Sequence, residues 1–260
     1  MARGSFFAGI MTSTVLGAAL FVGLAAPAYA QDAPPTPPKL TLTGSASFTT
    51  DYMFRSVSNT SQNPAVQPEF DLTYGMWWAY IWGSNTSLSD KGIEIDYGGG
   101  ISPKWQNFTF TVGGLEYTYP SDTHIDYFEL KTGVSWNPGA GPWTLSVNNW
   151  WSPNNFGLDT QSDALELGAG YAFPKYKLFN FFAPSISGVF GWQWYEKTDV
   201  VPDYTYGNVG LTLTPVGTLK NWSGDIRFYD TSYNKEDCFI NSGGRNNCDA
   251  RAVGTIKVTL

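Results

Sequence analysis

Apolar and polar residues alternate one by one over much of this chain. Residues 40–54 carry apolar side chains, ending with Tyr52 and Phe54, on one face and mostly threonine, serine and aspartate on the other. Successive side chains of an extended strand point to opposite faces, so this alternation predicts a β-strand. Residues 66–74 alternate in the same way after a polar interruption at 55–65. These segments are therefore predicted to be paired strands joined by a long polar loop.

The same alternation recurs about ten more times and predicts about twelve strands in total. The connections between them are long and short in turn, with one exception at 120–124. A soluble β-sandwich gives no reason for this rhythm, whereas an outer-membrane barrel has long external loops and tight periplasmic turns. The predicted external set is 55–65, 85–92, 120–124, 152–163, 196–203 and 231–250, and the predicted periplasmic set is 75–76, 103–107, 137–142, 174–181 and 215–221.

One strand changes phase along its length. The apolar set of residues 108–112 resumes one position out of step at 115–119, after Gly113 and Gly114. A glycine pair at such a slip suggests a β-bulge. With a bulge there, Glu116 would belong to the polar face.

Composition favours the membrane alternative over a secreted sandwich such as a carbohydrate-binding module. Aromatic residues make up 17% of the chain and charged residues only 14%, whereas soluble domains average about 25% charged. A barrel with an apolar outside and two aromatic girdles explains both values. We therefore predict an all-β fold, a transmembrane antiparallel up-and-down β-barrel of about 12 strands.

The N-terminal segment has the features of a secretory signal. Residues 1–30 contain Arg3, an apolar stretch too short to span a bilayer, and a small-residue sequence ending at Ala30. We expect cleavage there, with residues 31–39 as a proline-rich spacer and 40–260 as the barrel. A retained membrane helix is the alternative.

The polar faces of the strands would line the barrel interior. Acids outnumber bases on them, which would favour cations in a water-filled pore. The alternative is that these groups pair across strands and fill a narrow lumen with salt bridges. Arg55 would either project inward against the acids or lie in a plain loop. The predicted lining is Asp51, Glu69, Asp71, Glu94, Asp96, Glu116, Glu129, Glu166 and Asp225 with Lys131, Arg227, Arg251 and Lys257.

Residues 47–85 resemble the N-terminal signature of the TorF-type porin family of proteobacterial outer-membrane proteins. The similarity lies in the run from Asp51 to Arg55, in "NPAVQ" at 63–67 and in "WGSN" at 82–85. The signature commonly has glycine after the arginine, where this chain has Ser56. The resemblance implies a barrel and a porin, and it names no solute.

Other chemistry has weak support in the sequence. Cys238 and Cys248 are predicted to form a disulfide in the longest loop, because two thiolates without histidine make a poor zinc site. Three acids flank this pair and match no calcium-binding spacing, so no metal site or cofactor is predicted. The only histidine, His124, lies near Ser121 and Asp126, but a catalytic triad usually draws on separate strands and no G-x-S-x-G motif occurs. We predict that the chain is not an enzyme.

Together these patterns predict a bacterial outer-membrane channel for passive diffusion of small hydrophilic solutes or ions, with a preference for cations. The expected partners are outer-membrane lipid, those solutes and the barrel-assembly machinery, which would read the final strand "AVGTIKVTL". The net charge of −7 argues against nucleic acid. The alternative is a lumen-plugged barrel that acts through its loops, as an adhesin or structural protein, or as a lipid-modifying enzyme.

Overall fold

The structure is a computed structural model that describes residues 37–89 and 92–260. The predicted signal peptide and most of the spacer lie outside the described residues. The described part is nearly all β, with one α-helix and four short 3₁₀-helices at Thr123–Ile125, Pro138–Ala140, Asn155–Gly157 and Gly217–Leu219. The other elements are β1 (Leu40–Thr49), β2 (Met53–Phe54), β3 (Val57–Ser58), β4 (Ala65–Tyr74), β5 (Trp77–Asn85), β6 (Ile93–Ile101), β7 (Lys104–Trp105), β8 (Phe108–Thr118), β9 (Tyr127–Trp136), β10 (Trp143–Ser152), β11 (Ser162–Ala172), β12 (Phe182–Tyr195), β13 (Tyr204–Pro215), β14 (Trp222–Thr231), α1 (Lys235–Ser242) and β15 (Arg251–Thr259).

Twelve long strands form a closed barrel. Each pairs antiparallel with its neighbours in chain order, and β15 pairs with β1 from Ser45 opposite Thr259 to Thr49 opposite Thr255. The short β7 only extends the turn before β8, while β2 and β3 form a separate hairpin. The predicted twelve-strand antiparallel barrel is confirmed.

The outer face of the barrel is apolar and exposed. Alternate residues of every long strand contribute to it, which is the pattern expected where lipid rather than water covers the wall. In a protein surrounded by water, so much exposed apolar area would drive association. Examples are Leu42, Phe48, Phe70, Leu72, Ile81, Val112, Leu130, Leu145, Leu167, Ile186, Phe190, Val209, Leu211, Ile226, Phe228 and Ile256.

Among the described residues, no helix has the length and apolar character needed to cross a membrane.

The two ends of the barrel differ. The long-loop end, as we call it, carries the connections 50–64, 86–92, 119–126, 153–161, 196–203 and 232–250, and the short-turn end carries 75–76, 102–107, 137–142, 173–181 and 216–221. The rhythm is less regular than predicted, because connection 173–181 is as long as 153–161. Even so, the two longest connections, 50–64 and 232–250, both lie at the long-loop end.

The predicted bulge in β8 is absent, and this corrects one lining residue. The pairing of β8 with β9 runs without a break from Phe108 to Tyr117. Glu116 therefore lies opposite Phe128, whose ring is on the outer face, while Leu115 and Tyr117 are 7% and 6% exposed and point inward. The prediction that Glu116 lines the lumen is wrong, because the inner wall is aromatic at this level.

The longest loop is closed by a disulfide between Cys238, in α1, and Cys248. Both sulfur-bearing side chains are buried against Tyr195 and Tyr204 of the wall and against Val57 of the small hairpin. The disulfide thus holds a cap at the long-loop end and takes no part in the strand pairing.

Replacing both cysteines by serine should therefore leave the barrel able to fold and should loosen only the cap. Heat-modified migration of the refolded Cys238→Ser/Cys248→Ser protein on a denaturing gel would report the barrel, and protease cleavage within 232–250 would report the loop. We expect unchanged barrel migration and faster cleavage. Failure of the double variant to refold would show that the disulfide supports the barrel itself.

Candidate functional site

The main feature inside the barrel is a hairpin formed by residues 53–58, here called the lumen hairpin. Met53 pairs with Ser58 and Phe54 with Val57, and the two residues between them form the turn. The interval 55–65 does connect two barrel strands as predicted, but its first part folds into the lumen. Tyr52 and Phe54, predicted to continue the apolar face of β1, also point inward.

The turn of the lumen hairpin has an unusual backbone. Arg55 and Ser56 have φ values of 45° and 62°, the left-handed region that two-residue hairpins require and that glycine or asparagine usually fills. Ser56 is 2% exposed, and its hydroxyl donates a hydrogen bond of 2.9 Å to the carbonyl oxygen of Gly207 in the wall. This bond compensates part of the backbone strain and ties the hairpin to β13.

Two substitutions at Ser56 separate strain from anchoring. Ser56→Ala removes the hydrogen bond and keeps the strain, whereas Ser56→Gly removes both. A non-glycine residue in the left-handed region costs about 1 kcal/mol, so the glycine variant should be more stable than the alanine variant by about that amount. Urea unfolding of the two refolded variants, followed by tryptophan fluorescence, measures this difference. Equal stabilities would contradict the strained turn.

Arg55 connects the hairpin to the far wall of the lumen. Its Nη2 lies 2.8 Å from Oε1 of Glu129, which is 0% exposed, and its Nη1 donates a 2.9 Å hydrogen bond to Gln193. The guanidinium also lies 4.7 Å from the ring centroid of Phe54 and 5.6 Å from that of Trp150. Phe54 is part of the hairpin, whereas Glu129, Trp150 and Gln193 belong to β9, β10 and β12, on the side of the barrel opposite β1. A buried ion pair therefore closes the hairpin against the far wall.

The near end of the hairpin is held by Asp51. Its Oδ1 accepts hydrogen bonds from the hydroxyls of Ser58, at 2.6 Å, and Thr60, at 2.9 Å. Its Oδ2 lies 2.9 Å from Nη1 of Arg251 in β15. Asp51 is thus fully engaged in fixing the start of the inward fold rather than exposed along a pore.

Aromatic side chains surround the hairpin inside the barrel. Phe54 packs against a buried cluster that includes Tyr117 and Tyr127, whose rings stack at 4.4 Å. The Tyr117 hydroxyl donates to Glu129 at 3.0 Å, and the Tyr52 hydroxyl donates to Glu94 at 3.1 Å. The hairpin therefore has a small hydrophobic core of its own, inside a wall that is elsewhere polar.

The remaining predicted residues lie on the inner face and form several pairs. Lys257 is 3.8 Å from Glu69, and Arg227 is 3.2 Å from Asp225. Glu166 accepts a 2.8 Å hydrogen bond from Tyr206, and the Lys131 ammonium lies 5.4 Å from the Trp150 ring centroid. Asp71 and Asp96 take part in none of the ion pairs among the described residues. Much of the predicted charge is thus neutralised locally.

Two cavities meet at the lumen hairpin. One, of about 520 Å³, extends from Phe54 toward Ser102 and Thr111 near the short-turn end. The other, of about 360 Å³, lies among the loops of the long-loop end and is lined by Phe54, Arg55 and Asn241, among others. A path through the barrel would run from one cavity to the other past the hairpin. The alternative in which Arg55 projects inward against the acids is the one that the structure shows, because Arg55 lies in the hairpin where the two cavities meet.

His124 pairs with Asp122 and not with Asp126, the acid that the imagined triad would use. Its side chain is 78% exposed, and Nδ1 lies 2.6 Å from Asp122. Asp126 instead accepts a 2.6 Å hydrogen bond from the backbone nitrogen of Tyr119.

The acids near the disulfide are also engaged. Asp249 pairs with Lys235, and a hydrogen bond from Arg245 holds the pKa of Glu236 below its usual value. Within residues 37–89 and 92–260, no three acidic, histidine or cysteine side chains are grouped to hold a metal ion.

A family of bacterial proteins described as of unknown function, Gcw_chp, matches residues 32–260. No curated protein matches the chain in sequence. Two structures of the KdgM porin share the fold. The first is 8% identical with a TM-score of 0.52, over 83% of this chain and 98% of that one. The second, a complex with disordered oligogalacturonate, is 8% identical with a TM-score of 0.51, over 84% and 98%.

A more distant likeness is to the outer membrane channel DcaP of Acinetobacter baumannii, at 8% identity and a TM-score of 0.43, over 86% of this chain and 98% of that one.

Proposed function

This chain belongs to the Gcw_chp family, and we propose that it is a porin-like channel of the bacterial outer membrane. It passes small hydrophilic solutes or ions by passive diffusion. The observation that carries this proposal is a closed barrel with an apolar outside, a charged inside and a cavity on each side of one hairpin. The TorF-type resemblance in residues 47–85 points to the same function.

Membrane placement follows from the same arrangement. The apolar outer face is proposed to contact outer-membrane lipid, with the long-loop end outside the cell and the short-turn end in the periplasm. Insertion would depend on the barrel-assembly machinery. Removal of residues 1–30 as a signal peptide is part of this proposal.

The barrel interior is suited to the diffusion of solutes rather than to an enzymatic reaction. Its polar side chains are paired with one another or line cavities, and His124 lies in an exposed turn away from them. A channel needs only a continuous polar path whose width and charge set selectivity. The chain is therefore proposed to have no enzymatic activity and no cofactor.

A preference for cations is supported by the charges left over after pairing. Asp71 and Asp96 line the larger cavity beside Glu69, which Lys257 partly neutralises, and Lys131 is the base among its lining residues. The ligand of the KdgM complex, oligogalacturonate, is a polyanion. The acidic cavity of this chain argues for solutes of the opposite charge.

The lumen hairpin is proposed to set the conductance. The barrel without it would leave the two cavities joined, whereas the ion pair between Arg55 and Glu129 holds the hairpin across the path. Single-channel recording of the refolded chain in planar bilayers tests this function. Small, stable steps with cation preference are expected.

The same hairpin also supports a second candidate, a permanently plugged barrel that acts through its external loops as an adhesin or structural protein. Its contacts with five barrel strands, β8, β9, β10, β12 and β13, favour a fixed position. A correctly folded barrel that conducts neither with nor without the hairpin would support this second function instead.

A further inference from the structure

The larger cavity has the features of a ligand site as well as of a passage. We propose that it binds a small organic cation, that is, a hydrophilic molecule with an amine or quaternary ammonium group. The inference rests on the proposed channel function for the route by which the ligand enters. Its volume of about 520 Å³ falls within the range of sites that enclose small molecules.

One side of the cavity is a flat aromatic surface. The rings of Trp78 and Tyr80 stack with centroids 6.2 Å apart and an interplanar angle of 15°. They lie against β6 where Gly98 and Gly100 have no side chains. A Cβ at Gly98 would collide with the Tyr80 ring, and one at Gly100 would come within 2.9 Å of the Trp78 ring. The glycines thus keep the rings against the wall and the cavity open.

Carboxyl groups flank this aromatic surface on the two neighbouring strands, Asp71 in β4 and Asp96 in β6. Asp96 is 5% exposed, lines the cavity, and has an Oδ1 with no hydrogen-bond partner among the described residues. Asp71 also lines the cavity, whereas Glu69 is partly neutralised by Lys257 at 3.8 Å. A buried carboxyl oxygen without a donor is costly. A protonated amine would supply a charge-assisted donor to it, and in a quaternary ammonium ligand a hydroxyl group would supply the donor.

The aromatic and acidic features select the same ligand class. A cation over the face of tryptophan or tyrosine is attracted by the ring, and the neighbouring carboxylates add to this attraction. The indole Nε1 of Trp78 is also buried and has no partner in the described part of the chain. Because that group can only donate, the ligand should carry an acceptor such as a hydroxyl oxygen. Anions would meet Asp71 and Asp96 and be repelled.

Choline is a suitable probe, because it combines a quaternary ammonium with a hydroxyl. We would titrate the full-length mature protein, purified in detergent, by calorimetry at constant ionic strength with choline, tetramethylammonium, glucose and galacturonate. Choline should bind most tightly, tetramethylammonium several times more weakly, and glucose and galacturonate not measurably. Choline affinity should fall at least about tenfold in Asp96→Asn.

Two further variants locate the site. Gly98→Ala would push the Tyr80 ring into the cavity and should weaken choline binding, because the three atoms nearest to the added carbon all belong to the Tyr80 ring. Glu196→Gln, in an exposed loop connection, is the matched charge control and should bind as the wild type does. Folding of each variant is checked by heat-modified gel migration.

Absence of choline binding, equal binding of choline and glucose, or unchanged affinity in Asp96→Asn would overturn the proposal. The bilayer recordings test the channel function independently of the proposed cation site. A conducting barrel that binds no choline refutes the cation site alone. A silent barrel that binds choline refutes the channel and leaves the site.

Discussion

Excising the lumen hairpin should increase single-channel conductance severalfold. The backbone nitrogen of Asn59 donates a 2.8 Å hydrogen bond to the carbonyl oxygen of Tyr52, so the ends of the hairpin are adjacent and two glycines can replace residues 53–58. The excision removes Arg55 and Phe54, which separate the two cavities, and leaves every barrel strand intact. Current steps in planar bilayers measure the effect.

Point variants test the same idea without a change in chain length. Arg55→Ala leaves the buried Glu129 without its cation, and breaking such a pair costs about 3–5 kcal/mol. Glu129 must therefore be neutralised too, and Arg55→Ala/Glu129→Gln is the better-matched variant. Its conductance should rise toward that of the excised protein, while Arg55→Lys should stay close to the wild type. An unchanged conductance in both the double variant and the excised protein would mean that the hairpin does not limit flow.

Neutralising the unpaired acids should lower the cation preference. In Asp71→Asn/Asp96→Asn, two acidic groups that line the larger cavity are replaced by amides at nearly constant volume. A charge about 10 Å from an ion in water stabilises a cation by about 0.4 kcal/mol and destabilises an anion by the same amount, so removing one such charge should reduce the cation-to-anion permeability ratio about fourfold. Reversal potentials in a salt gradient measure that ratio, with Glu196→Gln as the loop control.

The ion-paired acids of the lumen should contribute less to the cation preference than Asp71 and Asp96 do. Glu129 is bound to Arg55 and Asp225 to Arg227, so those pairs contribute little net field. If the double variant keeps the wild-type ratio, then the cavity does not lie on the ion path and the selectivity has another source.

The barrel could be predicted from the sequence because its alternation has a simple cause. In most of each strand, one face meets an apolar surrounding and the other a polar one, as in the run from Ile186 to Gln193 of β12. Strand number, pairing order and the position of the disulfide loop follow from that pattern alone. These features do not depend on which residues fill the lumen.

The errors share one physical cause. Around the lumen hairpin, the interior is itself apolar, so inward positions carry Leu115 and Tyr117 and an outward position carries Glu116. The rule that polar residues face inward therefore predicts the wrong face for these three residues. Tyr52 and Phe54 were assigned to the outer face for the same reason.

The position of Arg55 could not be predicted from the alternation of apolar and polar residues, because that pattern contains no information on long-range contacts. Its partners, Glu129 and Gln193, lie 74 and 138 residues away in the chain, and only barrel closure brings them together. The available sequence signal was a basic residue just after a predicted strand, and it indicates an inward fold only once the opposite wall is known.

The most direct test of the account is planar-bilayer recording of the refolded mature chain beside the hairpin-excised protein, under a salt gradient. We expect small, stable, cation-selective steps from the wild type and severalfold larger steps from the excised protein. Two correctly folded barrels that both remain silent would contradict the channel and favour a plugged barrel that acts through its loops.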